Sequence, residues 1–80
     1  MFVYEISKEN LDRNILFIPA LGLSYELNDS AKEMIELMME DKSLEEIAKD
    51  IAKRYELDWR EVYIDVIDLI HKLRVYGLVK

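Results

Sequence analysis

The side chains that could do chemistry are few and scattered in this sequence. Its one histidine, His71, follows Asp68 by three residues, which puts both on one face of a helix. Two ligands do not make a metal site, and the neighbouring Lys72 and Arg74 disfavour a bound cation. There is no cysteine, so the chain has neither a thiolate ligand nor a disulfide framework. We therefore interpret His71 as a surface residue near a helix C-terminus, where positive charge is favourable.

Nucleophilic catalysis is not indicated either, because it needs a nucleophile, a base and a group that orients the base. The chain has four serines and no threonine. Two of the serines, Ser30 and Ser43, precede Glu33 and Glu46 by three residues, which is the spacing of a helix capping box. Both glycines are isolated, so there is no glycine-rich phosphate loop. These patterns predict a protein that is not an enzyme and that binds no metal or cofactor.

The composition is that of one small domain, residues 1–80, with enough apolar side chains for a real core, since 51% of the chain is hydrophobic. No apolar run approaches the roughly 20 residues that cross a membrane, and the N-terminus lacks the basic start of a signal peptide. We therefore expect a cytoplasmic protein with no membrane partner. The net charge of −6 disfavours nucleic acid as a partner, since phosphate binding needs clustered Lys and Arg.

The first third of the chain predicts three strands, at 2–6, 14–18 and 22–27. The segment "FVYEI" at 2–6 is rich in β-forming residues, and the polar segment that follows it is interpreted as a loop. The segment "NILFI" at 14–18 is continuously apolar, which favours a strand buried on both faces. Pro19 ends this strand, and apolar and polar residues alternate in the next one.

Three helices follow, each with a start signal. The first begins at Asn28 or Ser30, the second begins at Ser43, and the third extends from Asp58 to about Tyr76. A three-stranded antiparallel sheet followed by three helices predicts an α+β domain with the helices packed on one face of the sheet. The last two helices are joined by a short "ELD" turn, so the predicted architecture is a winged helix-turn-helix.

DNA binding is one function of this architecture, and the third helix argues against it. The first half of that helix would meet the DNA, and its acids outnumber its bases. The acids are Asp58, Glu61, Asp65 and Asp68, and the base is Arg60. Because carboxylates are repelled by the phosphates that line a groove, we treat a DNA-binding winged helix as an alternative that the charges disfavour.

The same helix has more apolar surface than one core stripe needs. The natural core stripe is Val62, Val66, Leu69 and Leu73. A second stripe lies beside it, made of Tyr63, Ile67, Ile70 and the charged Arg74. The second stripe is either part of a wide core face or one wall of a groove next to the strand at 22–27, to which a peptide can add as a further strand. Another alternative is a structural module, because the apolar strand at 14–18 needs cover from a homodimer partner or from the N-terminal segment.

Three stretches of the chain together resemble the PqqD-like family, named for coenzyme PQQ synthesis protein D. They are "SYELNDSAKEMIELM" from Ser24, "KSLEEIAKDIAKRYELD" from Lys42 and "DVIDLIHKLRVYGLVK" from Asp65. The resemblance covers about residues 14–80, in the order and spacing of the family. One departure is Asp41-Lys42 after the first helix, where the family often has Asp-Gly, so the resemblance does not predict the shape of that turn.

The resemblance implies a winged helix-turn-helix domain that is also called a RiPP recognition element. Such a domain binds the leader segment of a ribosomally made precursor peptide and presents it to a modifying enzyme, often a radical SAM enzyme. In the family, the leader adds as a strand beside the third strand and contacts the third helix. Carried onto this chain, the peptide-binding residues are Gly22, Leu23, Ser24, Tyr25, Glu26 and Leu27 on the strand, and Tyr63, Ile67, Ile70 and Arg74 on the helix.

Overall fold

The computed structural model describes all residues from Met1 to Lys80. The fold consists of a two-stranded β-hairpin and four helices. The elements in chain order are α1 (Lys8–Asp12), β1 (Ile15–Ile18), β2 (Leu23–Glu26), α2 (Asp29–Met39), α3 (Leu44–Tyr55) and α4 (Trp59–Val75). The α3 and α4 helices pack against each other, α2 packs on α3, and α1 packs on β1. The elements enclose one apolar core, as expected of an α+β domain. None of the four helices is long and apolar enough to cross a membrane.

The hairpin forms because Pro19 and Gly22 suit the backbone of a tight turn. Pro19 follows Ile18 as the second residue of the turn, a position whose φ proline already has. Gly22 has a φ of +64°, which lies in the left-handed region. The N–H groups of Leu21 and Gly22 both donate to the Ile18 carbonyl oxygen, at 3.2 and 2.9 Å. The turn sets the antiparallel register in which Leu23 lies opposite Ile18.

The sheet has two strands, so the predicted strand at 2–6 is wrong. This segment makes only an isolated bridge between Phe2 and Val79, and the Val3 N–H donates to the Leu78 carbonyl oxygen at 2.8 Å. Its β-forming residues therefore pair with the C-terminal end of the chain and not with the hairpin.

A short helix, α1, occupies the segment that the sequence predicts as a loop. Ser7 is its N-cap, and the Ser7 hydroxyl oxygen accepts a hydrogen bond from the Asn10 N–H at 3.2 Å. Leu11 is its one buried residue and is 1% exposed. A single apolar residue cannot show a helical period, so the sequence carries no helix signal here. The structure thus has four helices, one more than predicted.

β1 is buried on one face only, so the prediction of a strand buried on both faces is wrong. Leu16 and Ile18 point into the core and are 3% and 0% exposed, whereas Phe17 between them is 47% exposed. Tyr4 and Ile6 of the N-terminal segment line a small cavity together with Leu16 and Phe17, so this segment lies alongside β1. Association into a homodimer stays a prediction.

The three longer helices begin where the sequence predicts. Ser43 and Glu46 form the capping box of α3, with hydrogen bonds of 3.1 and 3.3 Å to each other's backbone N–H groups. Asn28 is the N-cap of α2, and Ser30 donates its hydroxyl hydrogen to the Asn28 side chain at 3.1 Å. Asp58 caps α4. These caps satisfy N–H groups that have no partner inside the helix.

The turn between α2 and α3 closes without the glycine that the PqqD-like pattern often has. Asp41 takes the left-handed conformation, with a φ of 59°, and its N–H donates to the Met38 carbonyl oxygen at 3.1 Å. Asp adopts this region more readily than most residues. The next residue, Lys42, reaches α3, where its Nζ lies 3.1 Å from the Asp50 carboxylate. A hydrogen bond to this carboxylate raises the pKa of the Lys42 ammonium.

Candidate functional site

β2 is the most exposed element of the fold. All four of its residues, Leu23–Glu26, are exposed, and it pairs with β1 along one edge only. Exposed strand edges are usually short, charged or covered, because their free backbone groups can pair with another chain. β2 is short, but Glu26 is its one charged residue and no strand covers its second edge.

The free edge of β2 presents the backbone groups of Ser24 and Glu26. The Leu27 N–H donates to the Asn14 carbonyl oxygen at 2.7 Å, which marks this pair of residues as a hydrogen-bonded pair. Hydrogen-bonded and non-hydrogen-bonded pairs alternate along an antiparallel ladder. Tyr25 therefore bonds to β1, whereas the N–H and C=O groups of Ser24 and Glu26 point away from it. The edge has the donors and acceptors that an added strand requires.

The side chains of Leu23 and Tyr25 lie on the helix side of the hairpin but are not covered by the helices. Leu23 lies opposite Ile18 and Tyr25 lies opposite Leu16 in the register, and residues directly opposite share a face. Leu16 and Ile18 are buried, yet Leu23 and Tyr25 are 56% and 44% exposed. The inner face of the sheet thus continues past the core as open apolar surface at β2.

α4 reaches this open surface through Tyr76, the residue that caps its C-terminus. The rings of Tyr25 and Tyr76 are 5.0 Å apart between centroids and inclined by 32°. Interaction with the Tyr25 hydroxyl raises the pKa of Tyr76. Leu69 and Lys72 precede Tyr76 by seven and four residues, so they lie on the same face of the helix. We call Leu23, Tyr25, Leu69, Lys72 and Tyr76 the β2–α4 strip.

The helix wall predicted from the sequence lies on other faces of α4 than Tyr76, the residue that contacts β2. With 3.6 residues per turn, Ile67 projects about 180° away from Tyr76. Ile70 is buried in the core at 4% exposure, so it offers no exposed surface to a peptide in this structure, and its part in binding stays a prediction. Tyr63 packs edge-on against Trp59 with the centroids 6.1 Å apart, and both residues line a cavity with Glu45 at the start of α3.

Arg74, the last residue of the predicted wall, also lies away from the strip. Its position is about 200° around the helix from Tyr76, and its Nε donates to the Lys80 carbonyl oxygen at 3.1 Å. Of the predicted strand residues, Gly22 uses its N–H within the turn, and Leu27 pairs with Asn14. Of the predicted peptide-binding residues, the four at Leu23–Glu26 therefore lie along the free strand edge, whereas the four on α4 do not lie on the helix face of Tyr76.

Sequence reasoning missed Tyr76 as the residue of α4 that contacts the strand, and with it the helix face that Leu69 and Lys72 share with Tyr76. The core stripe of α4 has two flanks, and apolar periodicity does not say which flank faces the sheet. The sequence offered no signal for this flank, because the spacing of Leu69 assigns it to the core stripe and only the structure shows it half-buried at the margin of the core.

The fold and the free edge define a class of protein, a small α+β domain whose sheet has an exposed, unpaired strand edge. A family model described as coenzyme PQQ synthesis protein D (PqqD) matches residues 10–79. The chain belongs to this family, which confirms the resemblance seen in the sequence. No curated protein sequence and no solved structure matches the chain.

Proposed function

We propose that this domain binds the leader segment of a ribosomally made precursor peptide as a strand added to β2, and presents the peptide to a modifying enzyme. The family's part in coenzyme PQQ synthesis supports a place in biosynthesis of this kind. In this proposal, α3, the three-residue turn Glu56–Asp58 and α4 form the helix-turn-helix pair, and the hairpin is the small sheet of a winged helix.

The observation that carries the proposal is the combination of a free edge with uncovered apolar surface at the same strand. A peptide strand would bond to the backbone of Ser24 and Glu26, which gives affinity without requiring particular side chains. Its alternate side chains would extend the inner face of the sheet over Leu69 and Tyr76. Selectivity for one leader then comes from the β2–α4 strip, where two tyrosines offer rigid aromatic surface with polar tips.

Chemistry on the peptide would come from the partner enzyme, for example a radical SAM enzyme, and not from this domain. The β2–α4 strip and the free edge hold no histidine and no nucleophile next to a base. We therefore propose a non-catalytic peptide chaperone without a cofactor of its own. The proposal implies a cytoplasmic site of action, since ribosomes make the precursor there.

The test is an NMR titration of the 15N-labelled protein with a synthetic leader from the precursor gene that neighbours this one. We expect the largest amide shifts at 23–26 and 69–76. Ser24→Pro removes the outward N–H of Ser24, so it should weaken binding at least tenfold, equivalent to about 1.4 kcal/mol. An edge strand tolerates proline at an outward position, so the domain should remain folded.

Ser24→Ala is the matched control, because it removes the hydroxyl and keeps the N–H. It should bind the leader as the wild-type protein does. Wild-type affinity in Ser24→Pro, or shifts confined to α2 and α3, would show that the free edge of β2 is not the peptide site.

A further inference from the structure

Half of the second stripe on α4 is left without a role once the peptide site is assigned to the other flank of the helix. These two residues, Ile67 and Arg74, belong to a continuous and mostly exposed sector of about 100° on the helix. We call this sector the outer α4 face, and it consists of Arg60, Ile64, Ile67, His71, Arg74 and Val75.

The outer α4 face exposes two large aliphatic side chains that take no part in the core. Ile64 is 62% exposed and Val75 is 82% exposed, the highest value of any large apolar residue in the chain. Ile67 between them is half-buried. Single exposed apolar residues are common on protein surfaces, whereas two exposed aliphatic side chains with a half-buried one between them on one helix face form the kind of patch that interaction surfaces use.

The same face is free of acids in a protein whose net charge is −6. The three acids of α4, Glu61, Asp65 and Asp68, all lie outside the sector, and its ionisable groups are two arginines and one histidine. Glu45 lines a cavity with Arg60, but its carboxylate is 3.2 Å from the ammonium of Lys49, which partly neutralises it. The outer α4 face is therefore apolar and cationic.

We infer that the outer α4 face is the docking surface for the modifying enzyme, and that it fits an enzyme surface with carboxylates around apolar side chains. This inference rests on the proposed function, which requires an enzyme to reach the bound peptide. Opposite charge would steer the encounter, and the aliphatic side chains would supply the buried contact. Because Ile67 projects about 180° from Tyr76, the enzyme and the peptide can occupy opposite flanks of α4 together.

A protein partner suits this face better than nucleic acid does. Phosphate tracking needs a cluster of Lys and Arg, whereas the outer α4 face has two arginines spaced fourteen residues apart. Two exposed aliphatic side chains would also lose their contact with water at a polar phosphate backbone without gaining an apolar partner. The test must therefore be able to detect binding of nucleic acid as an alternative outcome.

The probe is the modifying enzyme encoded beside this gene, purified separately and titrated with this protein by calorimetry. The double variant Ile64→Glu/Val75→Glu and the single variant Arg60→Glu should each bind the enzyme at least tenfold more weakly than wild type. Lys53→Glu, a charge reversal at an exposed position of α3, is the matched control and should bind as wild type. All these positions are exposed, and circular dichroism should confirm that the variants are folded.

The leader titration separates this inference from the proposed function. The outer-face variants should bind the leader normally, and Ser24→Pro should lose the leader but keep the enzyme. If Ser24→Pro binds the leader normally while the outer-face variants lose the enzyme, the peptide site is wrong and the docking surface stands. The docking surface is wrong if the enzyme does not bind, if the outer-face variants bind it as Lys53→Glu does, or if the wild type shifts a DNA duplex in a gel and Arg60→Glu does not.

Discussion

At the scale of single residues, three turns of this protein place a non-glycine residue in the left-handed region. They are Asn14, Asp41 and Glu56, with φ values of 60°, 59° and 55°. Asn and Asp tolerate this region because their short side chains can form local hydrogen bonds, and Asn14 donates to the Leu27 carbonyl oxygen at 3.0 Å. Glu56 has no hydrogen bond from its side chain, so it carries the conformational cost without local compensation.

Glu56→Gly should therefore stabilise the protein. Glu56 is the C-cap of α3, where glycine is the residue best suited to a left-handed backbone. Relief of the steric cost outweighs the greater freedom of glycine in the unfolded chain, for a net gain of about 0.5–1 kcal/mol in the free energy of unfolding. Urea denaturation measures it, and Asp41→Gly should gain less. An unchanged or lower stability in Glu56→Gly would contradict this account of the turn.

The strand half of the candidate site could be predicted from residues alone, and the helix half could not. Alternation between apolar and polar residues in Leu23–Glu26 already indicates a half-open strand. The wall on α4 depends on the angle at which the helix crosses the hairpin, and no local pattern encodes that angle. Ile67 and Leu69 are only two residues apart in the sequence, yet their side chains point to nearly opposite flanks of α4.

Ile67 and Leu69 provide a matched pair of half-buried aliphatic residues on one helix. Leu69→Ala should weaken leader binding about tenfold, roughly 1.4 kcal/mol, because it removes apolar surface from the β2–α4 strip. Ile67→Ala should leave leader binding unchanged. Calorimetry with the synthetic leader gives both affinities, and denaturation curves correct for any loss of folded protein. The opposite ranking would restore the wall predicted from the sequence.

At the scale of elements, the segments with strong start or stop signals were predictable. Capping spacing located the starts of α2, α3 and α4, and Pro19 marked the end of β1. The failure at the N-terminus has a long-range cause, because pairing with distant residues decided the outcome. The segment at 2–6 has β-forming residues, but it meets the C-terminal residues instead of a strand, so its propensity yields only one bridge.

The capping box of α3 gives a prediction at this scale. Ser43→Ala removes the oxygen that accepts from the Glu46 N–H at 3.1 Å, and it should lower the free energy of unfolding by about 1 kcal/mol. Ser30→Ala is the control, because Asn28 still accepts from the Ala31 N–H at 2.8 Å, and its effect should be below about 0.5 kcal/mol. Both follow from urea denaturation. Equal losses in the two variants would mean that Ser30 also acts as a cap.

At the scale of the whole molecule, hydrogen bonds between elements join the hairpin side of the fold to the helical side. The Asn14 side chain links the two strands to α2, since its amide also donates to the Asp29 carboxylate at 2.9 Å. Glu33 of α2 accepts from the Tyr55 hydroxyl of α3 at 2.8 Å and lies 3.8 Å from the Arg54 guanidinium. These hydrogen bonds hold α2 between β2, which binds the peptide in our proposal, and the pair of α3 and α4. The outer α4 face belongs to this pair.

The Tyr55–Glu33 bond makes the stability of the molecule depend on pH above neutrality. The hydrogen bond to Glu33 raises the pKa of Tyr55 above its ordinary value of 10.0, which means that the native state favours the protonated phenol. This contribution to stability is fully present below pH 10 and is lost as the pH rises through the raised pKa of the folded state.

Tyr55→Phe removes the bond, so it should be less stable than wild type at pH 7, and the difference should shrink and vanish above pH 10. Urea denaturation at intervals from pH 7 to about pH 11 measures both curves, with Tyr4→Phe, which removes an exposed hydroxyl without a hydrogen bond, as the control. A difference between Tyr55→Phe and wild type that stays constant across this range would show that the phenol does not tie α3 to α2.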